Sequence, residues 1–158
     1  MDNPLVVVAP PEHPLAGAQS IGIQRLAEEV FVMREPSSSI RQAMEHFFVE
    51  RGVAIRHGMQ MTRNEAIKQA VQVGLGLSVV SVHTLELELE TKRLIILDVE
   101  GFPLARQWHL VYRRGRCLSP AAQAFRRFVL EEARGLADPL PISSRQPPAA
   151  AAVTHPER

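Results

Sequence analysis

An α/β fold is predicted by three features of this 158-residue sequence. Residues 5–9, 30–33 and 75–80 are short apolar runs of the kind that form strands buried on both faces. Two segments between the later runs place apolar side chains at helical spacing: Ile40, Met44, Phe47 and Phe48 in one, Ile67, Ala70, Val71 and Gly74 in the other. The order over residues 30–80 is therefore strand, helix, strand, helix, strand, which favours parallel pairing through right-handed crossovers.

Residues 5–9 close on Pro10 and Pro11, a rigid turn that a central strand does not continue through. Residues 20–29 are expected to hold a short helix with Ile21 or Ile23 and Leu26 inward. After the run at 30–33, Pro36 and the serines Ser37, Ser38 and Ser39 turn the chain into its first long helix. Its other face carries Arg41, Gln42, Glu45 and His46. Ser39 with Gln42 three residues on fits a capping box, and Gly52 fits the left-handed position that ends a helix.

A polar break at Arg56, His57 and Gly58 precedes residues 59–61, which alternate like a short strand. Thr62 with Glu65 makes a second capping box, Asn64 is a competing cap, and Gly74 is the expected stop of the second helix. Residues 83–90 fit a strand by alternation and a helix by propensity, since Leu85, Leu87 and Leu89 alternate with Glu86, Glu88 and Glu90. A short helix is preferred because the apolar run at 94–97 needs a crossover before it. The three glutamates are then expected to form a solvated face.

Residues 106–113 read as a strand with Trp108, Leu110 and Tyr112 on one face. Ser119 and Pro120 open a last helix with Ala121, Ala124, Phe125, Phe128 and Val129 inward and Gly135 at its end. Residues 136–158, rich in proline and alanine and almost without large apolar side chains, are expected to be a disordered tail.

The two capped helix starts would lie near the carboxyl ends of neighbouring strands. In open α/β sheets that edge is where ligands bind. Free backbone N–H groups and hydroxyls there make a ready anion site, although an ordinary helix cap explains the same residues.

Composition narrows the alternatives. A length of 158 residues with 46% hydrophobic content supports one ordinary domain or two small lobes. A formal charge of +1 offers no global reason to expect nucleic acid or an anionic membrane as partner. Lys68 and Lys92 are the only lysines and the other sixteen basic residues are arginines. That bias suits bidentate contact with carboxylates and phosphates but equally reflects base composition.

Cys117 is the single cysteine, so no internal disulfide forms; Arg113, Arg114 and Arg116 nearby could activate its thiol, though an incidental loop cysteine is the simpler reading. The first apolar run is too short for a signal-peptide core, and no segment is long enough to span a bilayer, which together suggest the cytoplasm. Nucleophile elbow, zinc-protease, phosphate-loop and dinucleotide motifs are all missing, and the six histidines never fall at i, i+4. No catalytic residue, metal or cofactor is therefore expected, and binding without catalysis is preferred.

Three quoted stretches, taken in order, resemble the effector-binding domain of LysR-type transcriptional regulators. They are Leu5-Val-Val-Val-Ala-Pro-Pro-Glu-His-Pro-Leu-Ala16, residues 34–52, and Asn64-Glu-Ala-Ile-Lys-Gln-Ala-Val-Gln-Val-Gly-Leu-Gly76. Leu94-Ile-Ile-Leu-Asp-Val-Glu-Gly101, Arg106-Gln-Trp108 and Leu118-Ser-Pro-Ala-Ala122 are similar to the family's closing portion. Each motif alone is weak, whereas their order and spacing together are strong. Arg34-Glu-Pro36 and Asp98-Val-Glu-Gly101 look particularly similar to the branch that regulates RuBisCO and carbon-fixation operons.

The resemblance covers residues 4–133 and implies a fold like the type 2 periplasmic binding proteins, two α/β lobes joined by crossover strands around an effector cleft. Residues 1–13 would be a crossover strand and hinge, 14–96 a complete lobe, and 97–135 the return crossover and part of the other lobe. The winged helix-turn-helix that binds DNA in the family has no counterpart in this sequence. In the branch resembled, effectors are phosphorylated metabolites or nicotinamide nucleotides. Such a small anionic effector, a sugar phosphate or nicotinamide nucleotide, would suit Ser37, Ser38, Ser39, Thr62 and Asn64, with help from Arg34.

Other readings are a solute-binding protein of the same architecture, whose mark would be a secretion signal, and a small enzyme, which needs a catalytic constellation not found. A module that pairs with itself or with a full-length regulator is compatible with the first reading. Part of one lobe without the rest would expose the apolar faces of residues 106–113 and of the last helix.

Overall fold

A computed structural model describes residues 1–113, 115 and 117–132. Strand β1 (Leu5–Ala9) is buried at every position and lies between β4 (Ser78–Ser81) and β5 (Ile95–Ile96), antiparallel to both. Strands β2 (Val30–Arg34) and β3 (Arg56–Met61) pair in parallel. The Phe31–Leu77 bridge joins the two groups: the Val32 amide donates to the Leu77 carbonyl at 2.8 Å, and the Leu77 amide to the Val30 carbonyl at 2.8 Å.

Alternate residues of the central strands serve two cores, as the two-residue period of a strand requires. Val7, Phe31, Met33 and Val79 face α1 (Ser39–Glu50) with its Met44, Phe47 and Phe48. Val6, Val8, Val32 and Val80 face α2 (Asn64–Gln72) with its Ile67, Ala70 and Val71. Phe48 meets Phe31 and Phe47 edge-on, with ring centroids 5.7 Å apart in both pairs. The short helix expected before residue 29 is a 3-10 turn at Ile23–Glu28, with Ile21, Ile23 and Leu26 all inside.

The mixed α/β class and both helix faces are as the sequence predicts, except that Gly74 lies past α2 and is exposed. Gly52 and Gly74 adopt φ of +67° and +78° just past their helices, and Ser119 caps α4 (Pro120–Glu131) by accepting from the Ala122 amide at 3.3 Å. Pairing is less uniform than expected, because β4 is parallel to β2 only at Leu77 and then runs antiparallel to β1. The polar residues 56–58 begin β3 rather than break the chain before it. An outer strand held by backbone bonds to β2 alone needs no apolar face.

Both capping boxes are corrected. Ser38, not Ser39, is the N-cap of α1, and Gln42 turns its amide to the Pro36 carbonyl at 3.4 Å. Arg63 is the N-cap of α2, so Asn64 is already helical and Glu65 reaches Lys68 instead. Neither cap residue makes a side-chain capping bond.

The glutamates of α3 (Glu86–Glu90) do not share a solvated face: Glu88 is 5% exposed, while Leu87 points outward. Residues 106–113 form no strand, only a bridge from Gln107 to Asp2. Among the described residues, nothing buries the inward stripe expected on α4. Gly135 and residues 136–158 lie outside the described residues, as do Arg114 and Arg116.

Trp108, Leu110, Val111, Tyr112, Phe125 and Phe128 consequently remain exposed. Apolar surface gathered in this way favours association. The chain is expected to self-associate and to bind an environment-sensitive dye. A monodisperse monomer in light scattering, with no dye fluorescence, would refute this.

Candidate functional site

The parallel pairing of β2 and β3 sets Arg34 opposite Met61, so the loops leading into α1 and α2 leave the sheet side by side at its carboxyl edge. Arg34 ties them together by donating from Nη1 to Asn64 Oδ1 at 2.5 Å. Two of the residues nominated from sequence are thus in direct contact across thirty positions of chain.

Ser38 is buried at the N-cap of α1, whereas Ser37, Ser39 and Thr62 are exposed. Among the described residues, none of these four hydroxyls has a hydrogen-bond partner within the chain. The first-turn N–H groups of α1 are likewise not capped by a side chain. Polar groups without internal partners at the end of a parallel pair can bind oxygen-bearing ligands. Two surface depressions lie elsewhere, one beside Phe47 and Arg51, the other beside Lys68 and Glu88.

Further residues shape this edge. Arg34 donates from Nε and Nη2 to both carboxylate oxygens of Glu35, each at 2.9 Å. These hydrogen bonds hold the Glu35 carboxyl below the usual carboxylate range. Arg41 reaches back from α1, donating to the Arg34 carbonyl at 3.0 Å and to Gln60 Oε1 at 3.1 Å, while its Nε meets Glu45 at 2.7 Å. Arg41 and Gln60 escaped the sequence reading because they become neighbours only when β3 docks on β2. Glu35 carried a signal, its place directly after Arg34.

Farther along the same carboxyl edge, where β4 ends beside β1, residues 3–5 and 104–106 pair with each other. The Asn3 amide donates to the Arg106 carbonyl at 2.7 Å, and Leu5 and Leu104 exchange amide bonds at 3.0 and 2.9 Å. Buried Ser81 donates to Asn3 Oδ1 at 2.5 Å where β4 ends beside β1. No helix among the described residues is long and apolar enough to cross a membrane. Among the same residues no cluster of three or more metal-ligating side chains occurs.

Comparison with known proteins agrees with this architecture. Residues 1–134 match the LysR substrate binding domain. The chain is 75% identical over 133 residues to a RuBisCO operon transcriptional regulator of Allochromatium vinosum, covering 84% of this chain and 44% of that protein. It is 46% identical over 128 residues to a protein of the same description from Acidithiobacillus ferrooxidans, covering 81% and 41%. The chain thus spans less than half the length of these relatives.

Among solved structures, the CcmR regulatory domain of Synechocystis PCC6803 in complex with 2-PG superposes with a TM-score of 0.80 at 40% identity, covering 87% of this chain and 64% of that one. The effector binding domain of QuiR in complex with shikimate gives 0.73 at 25% identity, covering 85% and 63%. The family match over nearly the whole described chain, the identity to these regulators and the shared fold lead to one assignment: the chain belongs to the LysR substrate binding domain family, the effector-binding domain of LysR-type transcriptional regulators.

Proposed function

We propose that this chain is the effector-sensing portion of a regulator of carbon-fixation genes, and that its effector contacts the edge where β2 and β3 end. The observation that carries this reading is the Arg34–Asn64 hydrogen bond, which brings the two predicted helix starts into one polar edge. Ser37, Ser38, Ser39, Thr62 and Asn64 would supply hydroxyl and amide contacts there, with Arg34 fixing the loops.

The effector class is a small phosphorylated metabolite or nucleotide, in keeping with the 2-PG bound to the similar CcmR domain. Residues 1–13 then act as crossover and hinge, 14–96 as a lobe, and 97–135 as the return and part of a second lobe. The antiparallel bonds between residues 3–5 and 104–106 support that division. The relatives are transcriptional regulators, so the output is a change of shape or assembly rather than a reaction. The partner would be a further copy or a full-length regulator, in the cytoplasm, with DNA contacted only through a winged helix-turn-helix outside these residues.

A thermal-shift screen of sugar phosphates and nicotinamide nucleotides tests the site. A ligand at a hundred times its Kd stabilises a protein by about 2.7 kcal/mol, enough to read as several degrees. Ser38→Ala and Thr62→Ala should each weaken binding roughly fivefold, the worth of one hydrogen bond of about 1 kcal/mol. Shifts of equal size in all three proteins would remove these residues from the effector site.

A further inference from the structure

Both arginines that face the candidate edge already hold a carboxylate of the same chain. Arg34 engages Glu35 through Nε and Nη2 at 2.9 Å each, the parallel two-bond geometry that a ligand carboxylate or phosphate would otherwise use. Its Nη1 is taken by Asn64. Arg41 is bound to Glu45 through Nε and to the chain through Nη1. Apart from Arg63, the side chains without a partner at this edge among the described residues are uncharged, chiefly the hydroxyls of Ser37, Ser38, Ser39 and Thr62. Arg63 is exposed and forms no ion pair among the described residues, but nothing orients its side chain toward a ligand.

We infer that Glu35 is a specificity-determining residue, an internal counter-ion that withholds Arg34 from anions, so that this edge receives the uncharged, hydroxyl-bearing part of the effector. This rests on the reading of the edge as an effector site. A phosphate approaching Arg34 would have to displace an ionised carboxylate from an already satisfied fork and would meet that carboxylate's repulsion. Hydroxyls meet no such barrier, because they exchange water for the serine and threonine side chains at little electrostatic cost. The anionic group of a phosphorylated effector would then be bound by residues other than Arg34.

Titration with inorganic phosphate by calorimetry, at ionic strength held constant with chloride, tests the role of Glu35. Glu35→Gln should bind phosphate about tenfold more tightly than the unaltered chain, the scale of one charge-assisted hydrogen bond gained. Adding Arg34→Gln to Glu35→Gln should abolish that gain. Equal affinities of the unaltered chain and Glu35→Gln, including no binding by either, would overturn the proposal. So would a gain that survives Arg34→Gln, since it would then come from net charge or from Arg63. Glu35→Ala serves as a second variant lacking any acceptor and should behave like Glu35→Gln. Failure of the effector-site reading shows in a different measurement, as metabolite shifts indifferent to Ser38→Ala and Thr62→Ala, so the two can be told apart.

Discussion

Lys68→Met is expected to lower the unfolding free energy by about 3–5 kcal/mol, because it strands a buried carboxylate. Lys68 is 5% exposed on the core side of α2. Its ammonium donates all three protons, to Glu88 Oε1 at 2.8 Å, to Glu65 Oε1 at 2.8 Å and to the Thr84 carbonyl at 2.9 Å. Glu65 is largely exposed and contributes little, whereas Glu88 is buried and its Oε2 has no other partner among the described residues.

Burial works against the Lys68 charge, yet the hydrogen bonds to Glu65 and Glu88 outweigh it and raise the pKa above the ordinary value of 10.5. A raised pKa means a contribution fully present below pH 10.5 and lost as pH climbs through the folded value. Neutral-pH stability therefore contains all of it. The double change Lys68→Met with Glu88→Leu should return most of the loss, since an apolar pair of similar volume replaces a buried ion pair at little net cost. Urea unfolding at pH 7 measures both. A loss under about 1 kcal/mol for Lys68→Met alone would show that water or another group already satisfies Glu88.

Gly76→Ala is expected to cost about 3 kcal/mol or more, combining backbone strain with overpacking. Gly76 has φ +144°, and a Cβ there would collide with the Val30 carbonyl oxygen, which accepts the Leu77 amide bond at 2.8 Å. The Leu77 bridge holds β4 to β2, so relief of the clash pulls apart the two halves of the sheet. Gly74→Ala is the matched control. Its φ is +78° with nothing within 4 Å of a Cβ, so only the left-handed penalty of about 1–2 kcal/mol applies. Urea midpoints and amide exchange at Leu77 separate the two variants. A Gly76→Ala protein as stable as Gly74→Ala would mean that the strand junction yields without cost.

The same two sites show why some features were legible in the sequence and others were not. Gly74 could be read as a helix stop because it follows an apolar helical stripe, and φ confirms it. Gly76 carried no such mark, since its constraint comes from Val30, far away in sequence. Over residues 85–90 the alternation of leucine and glutamate suggested three solvated glutamates. In a helix each residue rotates by about 100° rather than 180°, so Glu88 turns inward and Leu87 outward. At the candidate edge, the serines and Asn64 were visible as cap-forming types. Their local caps do not form, and the partner Asn64 takes instead is Arg34 at the end of β2.

The sequence by itself determined the mixed α/β class, the apolar faces of α1 and α2, the glycine stops and the family. Each depends on local periodicity, on backbone preference within a few residues, or on the order of short motifs. Tertiary structure alone decided that β1 runs antiparallel to β4, that Lys68 and Glu88 meet in the core, and that Arg34 is shared between Glu35 and Asn64. These last features are pairings between distant segments, and whether two groups satisfy each other's charge or hydrogen bonds depends on a distance that no single stretch of sequence contains.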